Sequence, residues 1–367
     1  MDVKFDCRYF KGDKPCKFGR LCFRCNHYMH SGKKILIIKL AAIGDVLRTT
    51  SILTGLERKY PQNHITWVTN KESYFLLENN PQIDRVLTYD LDSILCLLVE
   101  HFDLVLSFDK AFGGASLATL VKAKKKKGFG IHKNGYLYPL NPESEYAFRL
   151  GIEDKLKFKQ NKKTYQELIY EMSGLDYKND EYILTLSEES RKFGEDFLEK
   201  NKLKKGDLVI GLNTGSGEVF ATKKWTIDGF IKLARMLNKK LAARVLLLGG
   251  PNEIQRNKEI KAKLKTIVID SGCHNSLKEF IGIINCCSLV VSGDTLAMQV
   301  AIALKKRVVA LFGPTCHQEV DLFGRGEKIV SDISCAPCYR QNCDSVKCMK
   351  SISPEEVFAA IKRSVSK

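Results

Sequence analysis

Asp45 stands where an apolar run, KILIIK, gives way to a helical pattern, AAIGDVLRTT. A carboxylate at such a junction either caps the helix start or accepts a proton in a reaction, and the junction alone leaves both open. Further on, NTGSGEVFATKKW follows a second apolar run. Gly215, Ser216 and Gly217 let the backbone turn tightly and present N–H groups, and Lys223 and Lys224 come just after. That combination suits a phosphate, although the G-x-x-x-x-G-K-[ST] spacing of a P-loop is absent and an ordinary loop is the alternative. Asp294 and Thr295 open a helix after SLVVSG, where either caps the helix or meets an anionic ligand. Glu253, in the turn LLGGPNE, is placed to accept hydrogen bonds from ribose hydroxyls.

Cysteine supplies a second kind of chemistry. Cys7, Cys16, Cys22 and Cys25 are spaced C-x8-C-x5-C-x2-C, and Cys335, Cys338, Cys343 and Cys348 are spaced C-x2-C-x4-C-x4-C. Four thiolates in a short polar segment are the usual way a reduced chain holds tetrahedral zinc, and an iron–sulfur cluster uses the same ligands. Free thiols or adventitious disulfides are the alternative. A four-cysteine site has no open position for substrate, so its role would be structural. The other five, Cys96, Cys273, Cys286, Cys287 and Cys316, lie in apolar or mixed contexts and are expected to pack as small hydrophobes.

The elements that must position these residues alternate. KILIIK, HITWVT, RVLTY and DLVLSF read as strands, with helical stretches near 46–59, 72–78 and 92–100. After an irregular middle from Gly128 to about Asp180 and a helix near 188–201, DLVIGL, ARVLLLG, TIVID, SLVVSG and RVVALF alternate with helices in the same way. Such alternation predicts two α/β units with doubly wound parallel sheets, facing a central cleft with their strand ends. The expected division is a Cys-rich extension at 1–33, one unit at 34–185, a second at 186–352 that includes the Cys-rich segment 335–348, and a closing helix at 353–367. Ser353-Pro354-Glu355-Glu356 is a strong start for that helix.

Composition narrows the class. The chain has 367 residues, 44% hydrophobic and 28% charged, as in ordinary globular proteins. No apolar run reaches the roughly 18–20 residues that span a bilayer, and the polar N-terminus does not read as a signal peptide, so the expected compartment is the cytoplasm. Lys plus Arg number 59 against 42 acids, a net charge of +17 that implies an anionic partner. Much of the excess is dispersed lysine, including the run Lys124–Lys127, which reads as a solvated face. No recognition motif for nucleic acid is present, so charge alone does not favour that partner.

Taken together, KLAAIGDVLRTT, GLNTGSGEVFATKKW, LLGGPNE, VVSGDTLAMQVAIAL and ALFGPT resemble glycosyltransferase family 9, the family of the ADP-heptose:lipopolysaccharide heptosyltransferases. The middle segment GFGIHKNGYLYPLNPESEYAFRLGI is similar to that of family members too. The resemblance runs from Lys34 through nearly all of the chain. It implies the GT-B fold, with an N-terminal acceptor domain and a C-terminal nucleotide-sugar domain, and inverting transfer that needs no divalent metal. By position it implies Asp45 as catalytic base, Gly44 and Arg48 on the acceptor side, and Thr214, Gly215, Ser216, Gly217, Lys224, Glu253, Asp294, Thr295 and Leu296 at the donor. It implies ADP-heptose as donor and a phosphorylated lipid of the lipopolysaccharide core, or another surface glycan, as acceptor, with peripheral contact at the inner membrane face. Related protein heptosyltransferases of autotransporters carry cysteine-bound iron, which fits a metal at the cysteine sets. One departure stands out. Many relatives read D-T-G-x-x-H, whereas this chain has Asp294-Thr295-Leu296-Ala297-Met298-Gln299, so a permissive glycine and a titratable histidine are both replaced. Two other readings share these residues: a protein O-heptosyltransferase of the same fold, and a metal-bearing binding protein whose transferase cleft has decayed.

Overall fold

In a computed structural model, which describes residues 3–217 and 220–366, the apolar runs form strands. They are β1 (Lys33–Ile38), β2 (Asn63–Thr69), β3 (Arg85–Thr88), β4 (His101–Ser107), β5 (Lys122–Ile131), β6 (Leu137–Pro139), β7 (Val209–Asn213), β8 (Arg244–Leu248), β9 (Val268–Asp270), β10 (Leu289–Gly293), β11 (Arg307–Phe312) and β12 (Gly326–Val330). One sheet runs β3-β2-β1-β4-β5-β6. The other, taken from its β9 edge, runs β9-β8-β7-β10-β11-β12, the same doubly wound order. All neighbours are parallel except β5 and β6. Buried on both faces, the central strands need apolar residues at every position, and Ile35, Leu36, Ile37 and Ile38 have no exposed surface.

The chain divides into two compact units. The first takes in residues up to Ile152 together with Gln166–Asp180, and the second takes in Glu153–Tyr165 together with residues from Glu181 on. In the second core, Ile210, Leu212, Val245, Leu247 and Val291 meet Phe230, Leu233 and Leu237 of the helix Ile227–Leu241 and Val357, Ala360 and Ile361 of the helix Pro354–Val365. Helix starts follow local capping chemistry. The Ser276 hydroxyl accepts from Glu279 N–H while the Glu279 carboxylate accepts from Ser276 N–H, and the Ser353 hydroxyl accepts from Glu356 N–H ahead of Pro354.

Several local expectations are corrected. The helix foreseen at 46–59 is two, Ile43–Thr49 and Ile52–Lys59, and the stretch near 72–78 is a 3-10 turn at Lys71–Leu76. The lysine run is not merely a solvated face. It belongs to β5, whose backbone pairs with β4 while Lys124 reaches Asp103 at 2.7 Å. That stretch borders β4 alone, since β6 pairs only with Phe129, Gly130 and Ile131, so Lys122, Lys124 and Lys125 stay exposed along a strand edge. Cys96 is exposed on the helix Leu91–Val99, whereas Cys273, Cys287 and Cys316 are buried and Cys286 half-buried. Burial pushes the Cys286 thiol up to about 11 and the Cys287 thiol up to about 12, so both stay protonated and pack as expected. The Cys-rich extension closes on itself through an antiparallel bridge of Cys7 with His30, and Arg8 ties it to the rest of the first unit by pairing with Asp84 and donating to the Asn63 carbonyl at 3.0 Å.

Tyr170, from the returning segment Gln166–Asp180, closes the first unit. Its hydroxyl donates to the Ser51 carbonyl at 2.6 Å and accepts from Gly55 N–H at 3.2 Å, bridging the first turn of the helix Ile52–Lys59. A Cβ on Gly55 would lie 2.5 Å from the tyrosine ring, so glycine is what admits the phenol. Tyr170→Phe leaves a buried carbonyl without its phenol donor and a buried N–H without its phenol acceptor. It should lower unfolding free energy by about 2 kcal/mol, measured by urea denaturation; an unchanged midpoint would refute the bridge as a stabilising contact.

Candidate active site

In each sheet the strand order reverses once, between β1 and β4 and between β7 and β10. Ligands of open parallel sheets bind beyond the carboxyl ends of the strands at that reversal. Asp45 lies there in the first unit, in the first turn of the helix that follows β1. Arg48 Nη2 is 2.9 Å from its Oδ1, and Lys39 Nζ is 3.9 Å from its Oδ2. The Lys39 ammonium also lies 4.0 Å from Asp109 Oδ2. Asp109, just past β4, is buried and anchored by backbone. Its Oδ2 accepts from Leu40 N–H at 2.7 Å and Ala41 N–H at 3.3 Å, and its Oδ1 accepts from Ala111 N–H at 2.9 Å. Gly44 and Arg48, expected on the acceptor side, share the short helix of Asp45. Sequence reasoning misses Lys39 and Asp109. The available signal was a lysine ending one central apolar strand and an aspartate just after another, in KILIIK and SFDKAF.

The second unit gathers the expected donor residues at its own reversal. Thr214 is buried, and its N–H donates to the Leu248 carbonyl at 3.2 Å. Gly215 lies so close to Glu253 that a Cβ there would fall 2.4 Å from the carboxylate carbon. The Ser216 hydroxyl donates to the Phe220 carbonyl at 2.8 Å, and Gly217 is exposed with φ +71. Lys224 Nζ approaches Glu253 Oε1 to 2.9 Å. Glu253 Oε2 accepts from Gly250 N–H at 3.1 Å, so both oxygens of the buried carboxylate are engaged. The two residues expected at phosphate and ribose thus hold one another.

Across the reversal, Asn213 at the end of β7 brings its amide within 3.1 Å of Ser292 Oγ, 3.2 Å of Thr295 Oγ1 and 3.0 Å of the Gly215 carbonyl. Asp294 is engaged by Lys223 at 3.1 Å. Thr295 occupies the cap of the helix Leu296–Ala303 without a side-chain cap bond; its hydroxyl faces Ser292 at 2.9 Å. Gln299 is buried on that helix, and its Oε1 lacks a hydrogen-bond partner. Asn213 was also missed, because a polar residue closing an apolar strand looks like the start of a loop.

The C-terminal cysteine segment packs against this donor turn. Cys338 N–H and Tyr339 N–H both donate to the Pro314 carbonyl, at 3.0 and 2.9 Å, and the Thr222 hydroxyl donates to the Arg340 carbonyl at 2.8 Å. Tyr339 stacks on Phe158 with ring centroids 5.7 Å apart, and burial holds its phenol well above the usual range. Neither cysteine set is gathered for a metal. Among the described residues no group of three or more His, Cys, Asp or Glu side chains is placed to hold an ion. Cys348 is buried in the second core, whereas Cys335 is exposed; burial pushes the Cys348 thiol up, and the nearby thiols of Cys338 and Cys335 add to the rise. Cys7, Cys16, Cys22 and Cys25 are half-buried free thiols, as are Cys338 and Cys343. The expected zinc or iron is therefore not supported by this arrangement. Among the described residues, no helix is long and apolar enough to cross a membrane.

Comparison with known proteins converges on one family. Residues 96–349 match glycosyltransferase family 9 (heptosyltransferase). The chain is 24% identical over 304 residues to the lipopolysaccharide core heptosyltransferase OpsX of Haemophilus influenzae, covering 78% of this chain and 80% of that one. Among solved structures, the glycosyl transferase family 9 protein of Veillonella parvula aligns with TM-score 0.71 at 21% identity, over 91% of this chain and 97% of its own. The E. coli ADP-heptose lps heptosyltransferase II aligns with TM-score 0.65 at 19% identity, over 91% and 98%. With its two Rossmann-like units the chain has the GT-B fold, and it belongs to glycosyltransferase family 9, the heptosyltransferases.

Proposed function

We propose that the enzyme transfers heptose from ADP-heptose to the lipopolysaccharide core or a related surface glycan, with inversion at the anomeric carbon. The observation that carries this reading is Asp45, a half-exposed carboxylate beyond the end of β1 with a cation on each oxygen. In the proposed step the acceptor hydroxyl loses its proton to Asp45 as its oxygen bonds to the anomeric carbon. The bond from that carbon to the β-phosphate oxygen breaks, and its electron pair leaves with ADP. General-base assistance of this kind contributes about 10²–10⁴-fold.

The negative charge that grows on the diphosphate needs partners fixed in advance. Lys224 and the N–H groups of Ser216 and Gly217 supply them in this reading, while Asp294, Thr295 and Leu296 meet the donor at the second helix start. In this reading Glu253 exchanges its ion pair with Lys224 for a ribose hydroxyl, which donates to it and frees Lys224 for phosphate. Cytoplasmic action and peripheral contact with an acidic inner membrane face follow from a phosphorylated lipid acceptor and a net charge of +17. No step runs through the cysteines.

Purified enzyme with ADP-heptose and a heptose-deficient lipopolysaccharide should release ADP and extend the glycan. Asp45→Asn should reduce turnover by about 10²–10⁴-fold with ADP affinity unchanged; retention of turnover would remove Asp45 as base. In calorimetric titrations of ADP, UDP, GDP and CDP the adenine nucleotide should bind most tightly. Lys224→Ala should weaken ADP by about tenfold, a loss of about 1.4 kcal/mol. Preference for a uridine nucleotide would overturn the heptose assignment.

A further inference from the structure

Buried lysine is rare unless something holds it. Lys39 is 7% exposed on its side chain, yet both of its ionic neighbours stand near 4 Å, beyond hydrogen-bond reach. Those neighbours are carboxylates of very different mobility. Asp109 is immobile: three backbone N–H groups, from Leu40, Ala41 and Ala111, fix both of its oxygens. Asp45 is 37% exposed on its side chain and sits on a helix of seven residues. A second cation, Arg48, is on the same helix three residues on, at 2.9 Å.

We infer that Lys39 is a positioning residue for the transfer, an internal cation that ties the Asp45 carboxylate to the backbone-anchored Asp109. This inference rests on the reading of Asp45 as base. It gives Lys39 a task that Arg48 cannot perform. If Arg48 turns to an anionic group on the acceptor, as its acceptor-side place suggests, Asp45 loses its nearer counter-ion at the moment it must hold still. Lys39 cannot leave in the same way. Its stem is enclosed, and its ammonium is shared with a carboxylate that the backbone will not release. Among the charged groups about Asp45 are Lys39 from β1's end, Arg48 from its own helix and, through Lys39, Asp109 from the turn after β4. An opposite charge at this distance also favours the ionised carboxylate. Removing Lys39 should both loosen Asp45 and make it easier to protonate.

The test is a carbon NMR titration of aspartate-labelled full-length enzyme, with the Asp45 signal assigned by its loss in Asp45→Asn. Asp45 should titrate about one pH unit higher in Lys39→Met than in the wild type. Lys39→Arg should restore most of the difference. In turnover assays with ADP-heptose and heptose-deficient lipopolysaccharide, the acidic limb of the kcat profile should move up by the same amount, with KM for ADP-heptose unchanged. Fluorescence of Trp67, whose indole N–H donates to the Lys39 carbonyl at 3.4 Å, reports whether the variant is folded. Where the methionine variant is not folded, Lys39→Gln replaces it. An identical Asp45 titration with and without the lysine charge overturns the inference, whatever the activity. A shifted titration in an enzyme whose Asp45→Asn variant keeps full turnover would leave the tether standing and defeat the base assignment instead.

Discussion

A parallel sheet wound outward in both directions leaves one place where neighbouring strands send their connections to opposite sides. The carboxyl ends there are uncovered by any crossover. Both units carry that gap, and both span it with side chains instead of backbone. In the first, the ammonium of Lys39 lies between the ends of β1 and β4; in the second, the amide of Asn213 links β7 to the residues ending β10. Polar groups buried at strand ends must find partners inside the protein. The first duty of these residues is therefore to close the gap, and the groups left with spare capacity are the ones able to act on a ligand.

Two such spare capacities differ in kind. In the first unit it is charge: Asp45 is a partly exposed carboxylate with Lys39 behind it and Arg48 beside it. In the second it is an exchangeable ion pair, because the buried carboxylate of Glu253 is held by the Lys224 ammonium at 2.9 Å. Gly215 keeps this possible, since any larger residue would press against the carboxylate.

Most of the strand framework could be read from composition alone, because fully buried parallel strands leave runs such as ILII and LVV that have no other use in a protein of this polarity. The turns that follow them were equally plain, which brought Asp45, Gly215, Ser216, Lys224 and Asp294 into view. What stayed hidden depends on depth rather than pattern. Lys39 and Asp109 look like surface residues until the sheet places them at adjacent strand ends. Cysteine spacing records nearness along the chain and says nothing of depth, and the C-terminal set spans both, with Cys348 in the core and Cys335 at the surface.

The path of the chain has a consequence for synthesis. Residues 153–165 belong to the second unit although they precede the last segment of the first, Gln166–Asp180. A growing polypeptide can therefore complete its first unit soon after Asp180 leaves the ribosome, with an internal loop of thirteen residues still waiting for partners that have not been translated. Phe158 of that loop finds its stacking partner only when Tyr339 arrives, close to the end of the message. Between residues 180 and 339 the nascent chain thus carries a tethered, lysine-rich bight whose stacking partner is still to be synthesised.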